Sequence, residues 1–314
     1  ERLRGLRALF RLLPYLVRLW RAAGHNDLFH IMANSGWSWH LFAAPAIWIA
    51  KARGKAVVVN YRGGEAEAFF ARAFAWVEPS LKKADAIVVP SGFLGEIFRR
   101  RGFATRIVPN VVNLERFAAA YKGGAPHILV ARNLERLYDN ASALRAFALV
   151  RKRYPVARMT IAGSGPERGS LEVLARELGL ADAVTFAGRV ENSAMPALYQ
   201  DASIALNPSL ADNMPISVLE ALASGVPVVS TDVGGVPFLV EHEKTALLVP
   251  PADPVAMAEA CLRLMAEPEL ARQLSAAGQS RAREFAWEQV RGKLYAVYDD
   301  VLGGRGSAPV VEVR

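Results

Sequence analysis

Two carboxylates bracket a helix start within residues 212–230, DNMPISVLEALASGVPVVS, and this stretch holds the residues most able to do chemistry. Asp212 sits in a polar loop. Pro215 suits a first helical turn, and Leu219, Leu222 and Ala223 repeat at helical spacing until Gly225 and Pro227 stop the helix. Free amides around Asn213, Met214, Ile216 and Ser217 then point toward the loop, where the positive end of the helix dipole favours a phosphate or diphosphate. Asp212 and Glu220, as carboxylates, suit neutral hydroxyls rather than that anion. Together this chemistry fits a nucleotide sugar.

The elements that must position these groups alternate strand and helix, which implies parallel sheets with crossover helices. Residues 27–32, 56–61, 86–90 and 105–109 read as strands of a first domain. A second set follows at 127–130, 159–162, 183–186, 203–207, 227–230 and 246–249. The expected division is a first domain over 1–117, a linker over 118–126 marked by Gly123 and Gly124, a second domain over 127–280, a final helix over 281–302 and a flexible tail over 303–314. In such sheets, ligands belong at the carboxyl ends of the strands. Gly163 and Gly165 follow one strand end, and a turn needing positive φ is the plain alternative to a ligand loop there. A dinucleotide fingerprint fails at its third glycine, where Arg168 stands.

With 314 residues, 52% of them hydrophobic, the chain can bury substantial cores and its length points to two domains. A single cysteine, Cys261, excludes a disulfide framework and a cysteine-rich metal site, and fits a reducing cytoplasmic setting. The net charge of +8 suits nucleic acid, an acidic membrane surface or an anionic substrate, but no nucleic-acid-reading motif accompanies it. No Asp-X-Asp occurs and no His/Cys ligand spacing is present, so no metal and no separate cofactor are expected.

Positive charge gathers at the start, where Arg2, Arg4, Arg7, Arg11, Arg18 and Arg21 interleave with leucines, Phe10, Val17 and Trp20 in a basic amphipathic helix that contains Pro14. Over residues 2–21 this helix is a candidate for contact with anionic lipid, with an ordinary solvated helix as the alternative. Residues 36–50 are apolar but too short to span a bilayer, and they read as a buried or interface helix.

Taken with Arg132, the Gly163-Ser164-Gly165-Pro166-Glu167 loop, the run 184–190 and the run 231–237, the acid pair Asp212/Glu220 makes the chain resemble the retaining GT-B glycosyltransferases of group 1, also called family 4. The pattern covers roughly residues 107–290. The family spacing of the two acids is kept, although its usual first glutamate is Asp212 here. The resemblance implies an α/β GT-B architecture, two doubly wound Rossmann-like domains facing across a cleft. It also implies an acceptor-side role for the first domain, a nucleotide-sugar role for the second, and the return of the final helix to the first. A first strand with a glycine-rich turn, expected ahead of the basic helix, is absent from the sequence, so the first domain is expected to lack its opening strand.

By the same resemblance, Arg132 meets the donor diphosphate, Glu220 the ribose, Asp212 the sugar hydroxyls, and main-chain groups near Arg189 and Val190 the base. The catalytic candidates are therefore Asp212, Glu220 and Arg132. Leu137 stands where the family carries a lysine, which leaves Arg136 as the candidate substitute. In the first domain Arg62, Gly63, Gly64 and Glu65 follow a strand end as acceptor or cleft candidates, with Arg62 near a position that is histidine in many relatives. The implied activity is metal-independent, retaining transfer from a nucleotide sugar to a cell-envelope glycan, polysaccharide or lipid-linked acceptor, lipopolysaccharide included, by a cytoplasmic protein peripheral to the membrane's inner face. The alternatives are a glycan- or nucleotide-binding protein with a degenerate donor site, and a GT-B nucleotide-sugar epimerase.

Overall fold

Short runs of β-branched and small apolar residues become strands that are covered on both faces, the arrangement that crossover connections impose on parallel sheets. The computed structural model describes residues 2–117, 123 and 125–303, with side chains from residue 12 onward. The expected tail beyond Gly303, most of the expected linker, and the side chains of the basic opening through Arg11 lie outside the described residues. The chain forms two units, one of residues through Pro109 together with those from Arg291 onward, the other Asn110–Val290.

In the first unit α1 (Arg2–Ala22) is followed by β1 (Leu28–Ala33), a π-helical turn (Trp39–Ala43), α2 (Ala44–Ala52), β2 (Ala56–Tyr61), α3 (Ala66–Leu81), β3 (Ala86–Val89), α4 (Gly92–Arg99) and β4 (Arg106–Ile107). The four strands pair in parallel in the order β1-β2-β3-β4, with Leu28 opposite Ala56 and Val58 opposite Ala86. Every residue of β2 is buried. Around it, Tyr61, Phe70 and Phe98 form a three-way aromatic contact with centroids 5.0 to 5.3 Å apart. The apolar stretch 36–50 is two pieces: Ala44 N donates to Trp39 O five residues back, and Pro45 then opens a new helix where its missing N–H costs nothing. Leu19 of α1 packs against this core and Tyr15 donates to Phe42 O at 3.0 Å, whereas Leu13, Val17 and Trp20 stay exposed.

In the second unit α5 (Leu114–Phe117) precedes β5 (His127–Ala131), a 3-10 turn (Arg136–Tyr138), α6 (Asn140–Arg153), β6 (Arg158–Ala162), α7 (Arg168–Glu177), β7 (Val184–Gly188), α8 (Met195–Asp201), β8 (Ile204–Asn207), α9 (Ile216–Ala223), β9 (Val228–Thr231), α10 (Val236–Leu239), β10 (Leu247–Val249), α11 (Pro254–Ala266) and α12 (Pro268–Arg283). The last helix, α13 (Trp287–Leu302), starts in this unit and ends in the first. Six parallel strands run in the order β10-β9-β8-β5-β6-β7, with separate apolar clusters built from the helices around them. Strand order reverses between β5 and β8, so the loops leaving their carboxyl ends diverge and open a crevice there.

Two boundaries differ from the expected ones. The second unit starts at Asn110 rather than at residue 127, because Val112 and Phe117 bury in its core and Val112 N donates to Phe285 O at 3.0 Å. It continues past residue 280 to Val290, because Ala282 and Phe285 belong to that same core. Among the described residues, no helix is long and apolar enough to cross a membrane.

Candidate functional site

At the crevice between β5 and β8, Arg132 and Asp212 meet. Arg132 leaves the end of β5 with its side chain only 11% exposed, Nη2 paired with Asp212 Oδ2 and Nε donating to Asn207 Oδ1 at 2.8 Å. Tyr138 lies under the guanidinium, 5.2 Å from centroid to Cζ. Asn207, the last residue of β8, is itself fixed from below: Ser209 Oγ donates to its Oδ1 at 2.7 Å and its Nδ2 donates to Ser230 Oγ at 2.8 Å. Thr231 Oγ1 closes the set by donating to Ser209 O at 2.6 Å. Asn207, Ser209, Ser230 and Thr231 are all buried, so each polar group must find its partner inside, and together they hold one rotamer of Arg132. Two N–H groups of the fork are committed, which leaves the remainder for an anion.

Pro215 is the N-cap of α9, in extended backbone, rather than a residue of its first turn; ψ of 117° keeps it out of the helix. The amides of Val218 and Leu219 turn back to Pro215 O at 3.2 and 3.3 Å, and those of Ile216 and Ser217 have no backbone acceptor among the described residues. The loop before them is anchored by Gly235 N, which donates to Asp212 O at 2.9 Å, and by Asn110 Nδ2, which donates to Met214 O at 2.7 Å.

One turn into α9, Glu220 is half-buried. Tyr199, wholly buried on α8, directs its hydroxyl to Glu220 Oε2 at 3.1 Å and to Ser217 O at 3.0 Å. Burial raises the Glu220 carboxyl above its ordinary range, against the Tyr199 hydrogen bond and the charges of Arg116 and Arg132. Burial also lifts the Tyr199 hydroxyl well above the usual phenol range, with Glu220 adding to the effect.

The expected site residues Arg132, Gly163, Arg189, Val190, Ser217 and Glu220 line one cleft of 390 Å³ with Ser164 of the glycine loop, together with Asn133, Asn192 and Met195, for which the sequence carries no signal. Asp212 reaches that cleft through its pairing with Arg132. Gly163, and Gly165, which does not line the cleft, are set by contact rather than by positive φ: a Cβ on Gly163 would stand 1.9 Å from Arg132 O, and one on Gly165 2.3 Å from Leu134 O. The loops after β5 and β6 therefore touch backbone to backbone, with Leu134 N donating to Ser164 O at 3.1 Å. Arg136 is exposed on the 3-10 turn and does not line the cleft, nor do Asn213, Met214, Pro215 and Ile216; Asn213, Met214 and Pro215 are buried. Arg189 is largely exposed, 4.0 Å from Glu191.

In the first unit Arg62 follows β2 and donates from Nε to Asn60 Oδ1 at 3.2 Å. That bond orients the Asn60 amide, whose Nδ2 then donates to His30 Nε2 at 2.9 Å. The His30 proton accordingly sits on Nδ1, 2.5 Å from Tyr298 Oη. Burial, then the Arg62 charge, lowers the His30 pKa and keeps the ring neutral. No spacing signal in the sequence links His30 to Arg62, 32 positions away. Gly63 is buried against Ser35, whose Oγ a Cβ would meet at 2.3 Å, while Gly64 has open space around it and Glu65 is exposed. Among the described residues, no group of three His, Cys, Asp or Glu side chains is placed to hold a metal.

Residues 112–281 match the family described as Glycosyl transferases group 1, and residues 2–116 match Glycosyltransferase Family 4. D-inositol 3-phosphate glycosyltransferase of Salinispora tropica is 30% identical over 90% of this chain, which spans 65% of that relative's length. Among solved structures, sucrose-phosphate synthase from Thermosynechococcus elongatus superposes with a TM-score of 0.78 at 25% identity, over 92% of this chain and 77% of that one. HepE of Anabaena, solved with UDP-glucose, gives 0.79 at 17% identity, over 91% and 82% of the two chains. An α/β fold of two parallel sheets shared with GT-B structures, and a family match over more than half of the sequence, mean that this chain belongs to the group 1 glycosyl transferases.

Proposed function

We propose that this chain is a retaining, metal-independent glycosyltransferase that binds a nucleotide sugar in the second unit and passes the sugar to a hydroxyl of a cell-envelope glycan, polysaccharide or lipid-linked acceptor. The observation that carries this reading is the convergence on one cleft of a buttressed arginine, Ser217 in the first turn of α9 and a half-buried carboxylate. Arg132 and the amides of Ile216 and Ser217 meet the diphosphate, Glu220 accepts from the ribose hydroxyls, and Gly163 and Ser164 admit the nucleotide at close range. In the reaction the bond from anomeric carbon to phosphate oxygen breaks as one to the acceptor oxygen forms on the same face. The acceptor proton passes to the departing phosphate oxygen. Negative charge therefore grows on the diphosphate, and pre-oriented donors stabilise it without reorganising. Asp212, which neutralises Arg132, turns its carboxylate to the sugar hydroxyls when the diphosphate takes its place on the guanidinium.

The relative acting on D-inositol 3-phosphate supports an acceptor rich in hydroxyls. Exposed Leu13, Val17 and Trp20, beside exposed Arg18 and Arg21, support contact of α1 with an anionic inner membrane face. The test is a screen of nucleotide sugars by thermal shift followed by product analysis in the presence of chelator. A ligand that binds only the folded chain raises its midpoint. Binding with no turnover on any acceptor points instead to a degenerate donor site, for which the exposure of Arg136 is the motive. Turnover lost to chelator and restored by magnesium or manganese sinks the metal-independent reading.

A further inference from the structure

We infer that Tyr199 is a positioning residue for Glu220, holding the carboxylate in the donor cleft through a single shared proton. Its hydroxyl is 3.1 Å from Glu220 Oε2 and 3.0 Å from Ser217 O, and a phenol has one proton to give. When Glu220 is ionised, the proton points to the carboxylate, the stronger acceptor. When Glu220 is protonated, the direction reverses: the carboxylic acid donates to the phenol, and the phenol donates to Ser217 O. Both arrangements are satisfied, so the wholly buried hydroxyl never lacks a partner. The ring itself cannot swing away, because Phe117 closes on it edge to face with centroids 5.9 Å apart.

The consequence is that Tyr199 couples the protonation of Glu220 to the first turn of α9, the turn that carries Ser217 into the cleft. The other charged groups acting on Glu220 are Arg116 from α5 and Arg132 from the end of β5; α12, β8 and β9, which also pack on α9, bring none that shifts it. This inference rests on the reading of Glu220 as the ribose ligand, and the experiment separates the two.

Glu220 is titrated by the carbon-13 signal of its carboxyl, assigned by its loss in Glu220→Gln, in the parent chain, in Tyr199→Phe and in a chain carrying 3,5-difluorotyrosine at 199. Nucleotide-sugar affinity is measured beside it at fixed pH. The midpoint should rise in Tyr199→Phe, which deletes the donor, and fall with difluorotyrosine, a stronger donor that burial keeps protonated. Affinity in Tyr199→Phe should drop about tenfold, the worth of one hydrogen bond to a charged group. Should Tyr199→Phe not fold, the fluorinated chain still decides. An unmoved midpoint in folded variants overturns the proposal. A moved midpoint with unchanged affinity upholds Tyr199 and removes Glu220 from the donor.

Discussion

At the residue scale, Glu220 is held ready at a cost that pH can reveal. Burial sets its folded pKa above the ordinary 4.5 of the unfolded chain, so the folded state binds this proton more tightly. Its contribution to stability is therefore full below 4.5 and is lost as pH rises through the elevated value. Glu220→Gln, neutral throughout, should melt higher than the parent at alkaline pH and no higher in acid, a comparison that calorimetry across pH makes directly. The same substitution should weaken nucleotide-sugar binding by roughly 1.5 to 3 kcal/mol for each lost charge-assisted contact. Asn207 shows the complementary case. Asn207→Ala leaves Ser209 Oγ and Arg132 Nε without their acceptor, and each buried donor left so costs about 1 to 3 kcal/mol. It should lower both the melting temperature and donor affinity, and a variant as stable as the parent would mean that the network under Arg132 is not holding it.

At the scale of elements, the loops after β5 and β6 act as one body. Gly163→Ala drives a methyl into Arg132 O, so overpacking of about 1 to 3 kcal/mol should accompany weaker donor binding, whereas Gly169→Ala, with open space at its Cβ, should change neither. For α1, replacing Arg18 and Arg21 by Gln should reduce sedimentation with anionic vesicles by about 1 kcal/mol per arginine that reaches the surface, and high salt should mimic the loss. Equal binding by parent and variant would make that face merely solvated. The strands were legible because apolar runs buried on both faces have no other use: 56–61 reads as one from AVVVNY alone and forms β2 with those bounds. Arg132, Gly163, Ser217 and Glu220 were legible as an ordered set of motifs. Tyr199, Asn192 and Met195 were not, because α8 looks like any amphipathic turn until the fold lays it against α9. The π-helical turn before Pro45 and the steric reason for Gly163 are likewise tertiary facts, invisible in a linear pattern.

At the scale of the whole molecule, the comparisons identify the family and the fold, and the site's own geometry carries the donor reading. The second unit is one uninterrupted stretch, Asn110–Val290, and contains every residue of the candidate donor cleft. Expressed alone it should fold and still bind a nucleotide sugar, with thermal shift as the check; loss of binding in a folded fragment would mean that the first unit supplies part of the donor site. The first unit is different, since Tyr298 reaches His30 and Asp300 pairs with Arg106 at 2.5 Å from the far end of the chain. During synthesis on the ribosome, strands β1 to β4 therefore emerge long before the helix that completes them. The unit whose strands are translated earlier is therefore completed later than Asn110–Val290, and its unfinished apolar surface is open to aggregation over that interval.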